Sequence, residues 1–93
     1  MDYRICFPTP LTEIDPANDN LDVCVRTDDG RDYTFVITTP ENLKAMMDRE
    51  EVPYLRPGLP MLIAAELTED VITRLIREIM ADEELARLYG CDI

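Results

Sequence analysis

The chain contains no histidine and no serine, and its three glycines stand apart at Gly30, Gly58 and Gly90. Without serine and histidine, the nucleophile and base pairs of the common acyl-transfer enzymes cannot be assembled. Isolated glycines also cannot form the glycine-rich loop that holds phosphate groups. These absences exclude the commonest hydrolase and nucleotide-binding sites, so we expect a protein that is not an enzyme.

Cysteine is scarce as well. The three cysteines are Cys6, Cys24 and Cys91, an odd number without paired spacing, which fits reduced thiols better than a disulfide framework. A zinc or iron site would need histidine or closely paired cysteines, and carboxylates alone suit hard ions held in a shaped cavity. The sequence therefore predicts no metal and no cofactor.

Basic residues are few, with 9 lysines and arginines against 20 acids and a formal net charge of −11. Because affinity for phosphate backbones comes from lysine and arginine, we expect neither nucleic acid nor membrane lipid as a partner. No apolar run approaches the roughly twenty residues that cross a bilayer, and no signal peptide is recognisable, so we expect a cytoplasmic protein. The acidity either favours a basic protein partner or serves only solubility.

The stretch DPANDNLD, Asp15–Asp22, crowds side-chain oxygens and raises the question of a calcium loop. A calcium-binding loop of the EF-hand type that started at Asn18 would place Asp29 at position 12, but Val23 would stand where glycine is required. A turn explains the stretch better, because short polar side chains bond the local backbone before a strand begins at Leu21. We predict the turn.

The strongest local pattern is NLDVCVRTDDGRDYTFVITT, two alternating runs about one turn. A two-residue loop would put the two apolar rows on opposite sides of the sheet. A three-residue loop at 28–30, ending in a glycine with left-handed backbone, pairs Val25 with Tyr33 and keeps both rows on one face. We predict this register, which also sets Arg26 opposite Asp32 on the outer face.

Helices are predicted after three capping residues, Thr39, Thr68 and Asp82, each followed by acids in the first turn. The first helix carries a narrow apolar stripe of Leu43, Met46 and Met47, and we expect its methionines to fill the core. The second helix has a wide apolar stripe and is predicted to be the main helix of the core. The third helix is short and ends at Gly90.

Residues 3–7 are predicted as an edge strand, and Met61–Leu67, apolar on both faces, as a strand in the interior of the sheet. The order predicts a single α+β domain over residues 1–93. It consists of one layer of three to four strands, mostly antiparallel, with two main helices and a short C-terminal helix on one face. A crossover through the first helix would instead make one strand pair parallel and the sheet mixed, and the sequence leaves both arrangements open.

Two surfaces are candidate binding sites. No further helix is left to cover the outer sheet face fully, and its outward side chains are mixed in polarity: Asp22, Cys24, Arg26, Thr34, Val36 and Thr38. The proline-rich connector after the first helix carries Tyr54 and Arg56, residue types that commonly anchor interfaces.

These features predict a small acidic, non-enzymatic interaction module that binds another protein or forms a homodimer. A sharper version is an immunity-type or charge-mimicking inhibitor, which requires its acids to cluster on one surface. The alternative is a small-ligand or carboxylate-assisted catalytic domain with an anion held at the helix N-terminus near Thr39.

Overall fold

The computed structural model describes residues 2–55, 58 and 60–92. Within them the chain forms a short 3-10 turn at Leu11–Glu13 and the α+β fold that the sequence predicts. The elements are β1 (Tyr3–Cys6), β2 (Asn20–Thr27), β3 (Asp32–Thr38), α1 (Pro40–Glu50), β4 (Met61–Ile63), α2 (Glu69–Met80), α3 (Glu83–Tyr89) and β5 (Cys91–Asp92).

The strands form one open sheet in the order β1-β2-β3-β4, with β5 also beside β3. The pairs β1/β2 and β2/β3 are antiparallel, whereas β3 and β4 run parallel. The sheet is therefore mixed, which decides between the two arrangements that the sequence left open. Two short strands share one side of β3, because β4 pairs with Val36–Thr38 and β5 with Tyr33 and Thr34.

The three-residue turn between β2 and β3 has the predicted register, with Val25 opposite Tyr33 and Arg26 opposite Asp32. Gly30 adopts φ 89°, and its N–H donates to the Thr27 carbonyl at 3.2 Å. The Thr27 N–H in turn donates to the carbonyl of Arg31 at 2.9 Å. This bonding is that of a type I turn closed by a left-handed glycine.

The core lies between the inner face of the sheet and the helices α2 and α3. The inner side chains of β2 and β3 meet three isoleucines of α2, Ile72, Ile76 and Ile79, and Ala86 of α3. Phe35 is fully buried at the centre. The wide stripe of the second helix thus packs as predicted.

The prediction for Met61–Leu67 is wrong in one respect, since β4 is a three-residue strand at the edge of the sheet and not in its interior. The chain leaves the sheet after Ile63, where the Ala64 N–H donates to the Thr38 carbonyl at 2.9 Å. Ala64 and Leu67 are buried because the connection to α2 passes through the core cluster. Their apolar character reflects that path and not a strand with neighbours on both sides.

All three predicted helix caps are confirmed. The side chains of Thr39, Thr68 and Asp82 accept backbone N–H groups in the first turns of α1, α2 and α3. Gly90 follows α3, and a Cβ built at this position would lie 2.6 Å from the Ala86 carbonyl oxygen. Glycine is therefore needed there for close approach of the backbone.

Helix α1 departs from the expected packing. No side chain in Pro40–Glu50 is buried, and the stripe of Leu43, Met46 and Met47 lies outside the core cluster, so the expectation of core methionines is wrong. Polar contacts hold the first turn instead, because Asn42 Nδ2 donates to Asn20 Oδ1 at 2.6 Å and to Thr38 Oγ1 at 3.1 Å. The wide apolar stripe of α2 occupies the inner face of the sheet, and the narrow apolar stripe of α1 does not displace it.

The substitution Gly30→Ala is expected to lower the free energy of unfolding by about 1 to 2 kcal/mol, because alanine is strained at positive φ. Gly58→Ala is the matched control, since Gly58 has ordinary φ and open space around an added Cβ. Urea unfolding followed by circular dichroism measures both. Equal stability of the two variants would contradict the observed turn.

The substitution Met47→Ala is expected to cost less than about 1 kcal/mol because the side chain lies outside the core. Ile76→Ala, which truncates a fully buried side chain of α2, is expected to cost about 2 to 5 kcal/mol. The same unfolding assay compares them, and a Met47→Ala loss as large as that of Ile76→Ala would place α1 in the core.

Candidate functional site

The outer face of the sheet is open. Inner side chains of β2 and β3 are at most 6% exposed, whereas Cys24, Thr34 and Val36, which point outward, remain partly accessible. Thr38 is the exception, because it is fully buried where Asn42 of α1 contacts the end of the sheet. Helices α2 and α3 therefore cover the inner face, while α1 contacts only the Asn20–Thr38 end of the outer face.

Strand register arranges the outward side chains in four rows across this face. From one end to the other the rows are Arg4–Arg26–Asp32, Cys6–Cys24–Thr34, Asp22–Val36–Met61 and Asn20–Thr38–Ile63. The sequence-predicted residues of this face thus lie together as expected. One end of the face is charged. The other end is mixed, with an apolar corner of Val36, Met61 and Ile63, of which Ile63 is 59% exposed.

The charged end is organised by an ion pair. Arg26 Nε donates to Asp32 Oδ1 at 2.8 Å, and both side chains are accessible to solvent. The pKa of Arg26 is raised, first by this hydrogen bond and then by the charge of Asp32, while burial opposes the shift and the charges of Cys6 and Cys24 add to it. Cys6 and Cys24 form the next row of the face, directly beside the row that contains Arg26.

Cys6 and Cys24 are directly opposite each other on β1 and β2, and both are free thiols. Sequence reasoning missed this pairing. The alternation in Tyr3–Cys6 indicates that Cys6 points outward, but the partner of Cys6 depends on the register across a long connection that contains no hairpin turn motif. The pair would have been found only with the position of β1 against β2.

Only half of the second candidate surface can be described. Tyr54 is 61% exposed, so it does not close the end of the core as a packed connector would. Arg56 lies outside the described residues.

The helix N-terminus near Thr39 is poorly suited to an anion. The Thr39 hydroxyl accepts the Asn42 N–H at 3.2 Å, and Thr39 itself is fully buried. Glu41 adds a carboxylate to the same first turn. A bound anion would meet a like charge beside the remaining amides.

Two arginines also line an open depression of about 480 Å³, whose lining residues are Arg31, Tyr33, Arg87 and Gly90. Glu83 Oε1 lies 2.7 Å from Arg87 Nη2 and 3.8 Å from Arg31 Nη1. Arg31 Nε also lies 3.8 Å from Asp29 Oδ2, so two carboxylates balance the two guanidinium groups and leave little excess positive charge for an anionic ligand.

The acidic stretch before β2 behaves as a turn. The Asp15 carboxylate accepts the Ala17 N–H at 3.0 Å, and the Asp19 carboxylate accepts the N–H groups of Asp15 and Asn20 at 3.1 and 2.8 Å. These oxygens are directed at local backbone, as the turn interpretation predicts. Across the described residues, no three acidic or cysteine side chains converge on a point that could hold a metal ion.

The hairpin turn contains a carboxyl group with a shifted pKa. The pKa of Asp29 lies below its ordinary value because the Thr27 hydroxyl donates a hydrogen bond to the carboxylate. Burial opposes the shift, and the N–H and charge of Arg31 add to it. Among the described residues, the Asp29 carboxylate bonds Thr27 and Arg31 within the turn. These partners do not include a second carboxylate, which an acid and base pair would require.

Comparisons with known proteins returned no match to a protein-family model, a curated protein or a solved structure. In the described part of the chain, every helix is too short or too polar to span a bilayer. Function must therefore be argued from the geometry of the outer face and from the distribution of charge.

The substitution Thr27→Val is expected to raise the pKa of Asp29 toward its ordinary value, because it removes the main hydrogen-bond donor to the carboxylate. A carboxyl whose folded pKa is lowered stabilises the fold above its unfolded pKa, near 3.9, and that contribution disappears as pH falls through the folded value. Carboxyl carbon NMR titration of the variant measures the shift. Thr34→Val, a control on the same sheet, should leave the Asp29 titration unchanged, and an unchanged titration in Thr27→Val would be contrary evidence.

Proposed function

We propose that this protein is a small acidic interaction module that binds a basic protein partner through the outer face of its sheet. The observation that carries the proposal is an accessible apolar corner of this face where β3 meets β4, beside the Asn20–Thr38 end that α1 contacts. There Val36 and Met61 lie beside Ile63, which is 59% exposed. Accessible apolar side chains with polar neighbours are typical of protein contact surfaces.

Charge supports a basic partner. Among the described residues, only four acids take part in ion pairs: Asp29, Asp32, Asp70 and Glu83. Most of the 20 acids therefore contribute to the field around the molecule without a compensating cation. A field of this kind attracts a basic protein and speeds its encounter.

The contact itself is nearly neutral. The rows of the outer face contain two arginines, Arg4 and Arg26, and two aspartates, Asp22 and Asp32. Electrostatics would thus act mainly on the rate of association, while apolar contact around Ile63 would hold the complex. Two copies of a chain with net charge −11 repel each other, which favours a basic partner over a homodimer.

The test uses two exposed apolar residues as a matched pair. Ile63→Arg places a charge on the outer face, whereas Leu88→Arg makes the same change on α3, where Leu88 is 65% exposed. Tagged wild-type protein and both variants are used for affinity capture from lysate of the native host at low and high salt. Both substitutions are at the surface and should change folding stability by no more than about 0.5 kcal/mol.

We expect one basic protein to be retained by the wild type and Leu88→Arg, released at high salt, and lost at least about 10-fold with Ile63→Arg, because charge would enter the apolar contact. Equal retention by all three proteins would exclude the outer face. Retention of no specific protein would count against the interaction function itself.

A further inference from the structure

The second row of the outer face contains two adjacent thiols, Cys6 and Cys24, which we name the thiol pair. Free cysteine is usually buried and packs as a small apolar residue. Cys6 is instead exposed, and Cys24 opposite it is partly exposed. The proposed protein contact does not require sulfur at either position, so the thiol pair needs a separate explanation.

Backbone hydrogen bonds determine the spacing of the thiol pair. The Asp28 N–H donates to the Asp2 carbonyl at 3.0 Å, so this pair at the end of β1 and β2 is hydrogen-bonded. Hydrogen-bonded and non-hydrogen-bonded pairs alternate along an antiparallel ladder. Counting along the register returns a hydrogen-bonded pair at Cys6 and Cys24.

The other neighbour of β2 gives the same result. The Thr27 N–H donates to the carbonyl of Arg31, which lies on the β3 side. Because backbone groups alternate in direction along a strand, the odd-numbered residues of β2 bond to β3. The backbone groups of Cys24 are therefore directed toward β1. Both arguments identify Cys6 and Cys24 as a hydrogen-bonded pair.

The Cβ spacing that is typical of hydrogen-bonded pairs does not favour a relaxed disulfide. Directly opposite Cβ atoms in an antiparallel pair lie about 4.5 to 5.5 Å apart, and hydrogen-bonded pairs have the larger separation. A disulfide requires about 3.5 to 4.5 Å between them. A single soft metal ion spans more: with the zinc–sulfur bond length of about 2.3 Å as a guide, two bonds in line separate the sulfurs by about 4.6 Å, against about 2.05 Å in a disulfide.

The surroundings limit which ion the thiol pair suits. Soft thiolates select copper(I), whereas structural zinc takes four ligands, and no third candidate side chain converges here among the described residues. Two thiolates and one monovalent cation leave a net charge of −1. The neighbouring row Arg4–Arg26–Asp32 holds two cations and one anion, and its net charge of +1 offsets that charge.

We propose that Cys6 and Cys24 form a two-coordinate site for a soft monovalent metal ion of the copper(I) class. Binding replaces the two thiol protons by the ion and releases both protons to solvent, and no electron is transferred. The ion closes β1 onto β2 beside the proposed contact surface.

The experiment is an anaerobic titration of the full chain against copper(I) held by the coloured chelator bicinchoninate. We expect the wild type to withdraw one copper ion per chain and the variants Cys6→Ser and Cys24→Ser to lose more than about 100-fold in affinity, because each removes a ligand. Cys91→Ser is the control and should stay within about 2-fold of the wild type. Arg26→Gln should lose about 10-fold, whereas Arg74→Gln on α2 should lose none.

A second measurement needs no variant. Copper(I) should protect Cys6 and Cys24, but not Cys91, from alkylation by iodoacetamide in the folded wild type, as read by peptide mass spectrometry. Failure of the wild type to withdraw copper, or loss of copper in Cys91→Ser, would overturn the two-cysteine site. So would quantitative disulfide formation with oxidised glutathione by a chain that binds no copper. The assay involves no protein partner, so its outcome is independent of the proposed contact function.

Discussion

The register of the β2–β3 hairpin is the constraint on which the rest of the structure depends. Because side chains alternate in a strand, shifting the pairing by one residue would move one whole apolar row to the other face. Gly30 and the bonds between Thr27 and Arg31 fix that pairing. They set which side chains meet α2 and which remain on the outer face. The same turn therefore determines both which side chains enter the core and which form the candidate binding surface.

Local signals predicted the hairpin, the three helix caps and the wide stripe of α2, because each depends on residues close in sequence. The errors arose where tertiary packing decides. Met61–Leu67 looked like an interior strand, but Ala64 and Leu67 are buried by the connection to α2. Likewise, the methionines of α1 had helical spacing, but whether a stripe reaches the core depends on competition with the stripe of another helix.

The candidate surface was predictable to the same degree. Cys24, Arg26, Thr34 and Val36 follow from alternation within one hairpin, so their common face could be read from the sequence. The side chains that β1 and β4 contribute to this face, such as Cys6 and Ile63, could not be read from the sequence in the same way. Placing them requires the order and register of strands that are not joined by a tight turn. Long connections carry no local code for register, and for that reason the thiol pair was not anticipated.

The brevity of β4 has a consequence for the behaviour of the protein at high concentration. An unpaired strand edge can recruit the edge of another molecule and start the growth of fibrils. Here that edge extends over three residues, Met61–Ile63, and Pro60, which has no N–H to donate, stands directly before it. A neighbour could add few ladder bonds while overcoming repulsion between two chains of charge −11. This edge of the sheet is thereby protected from pairing with another molecule.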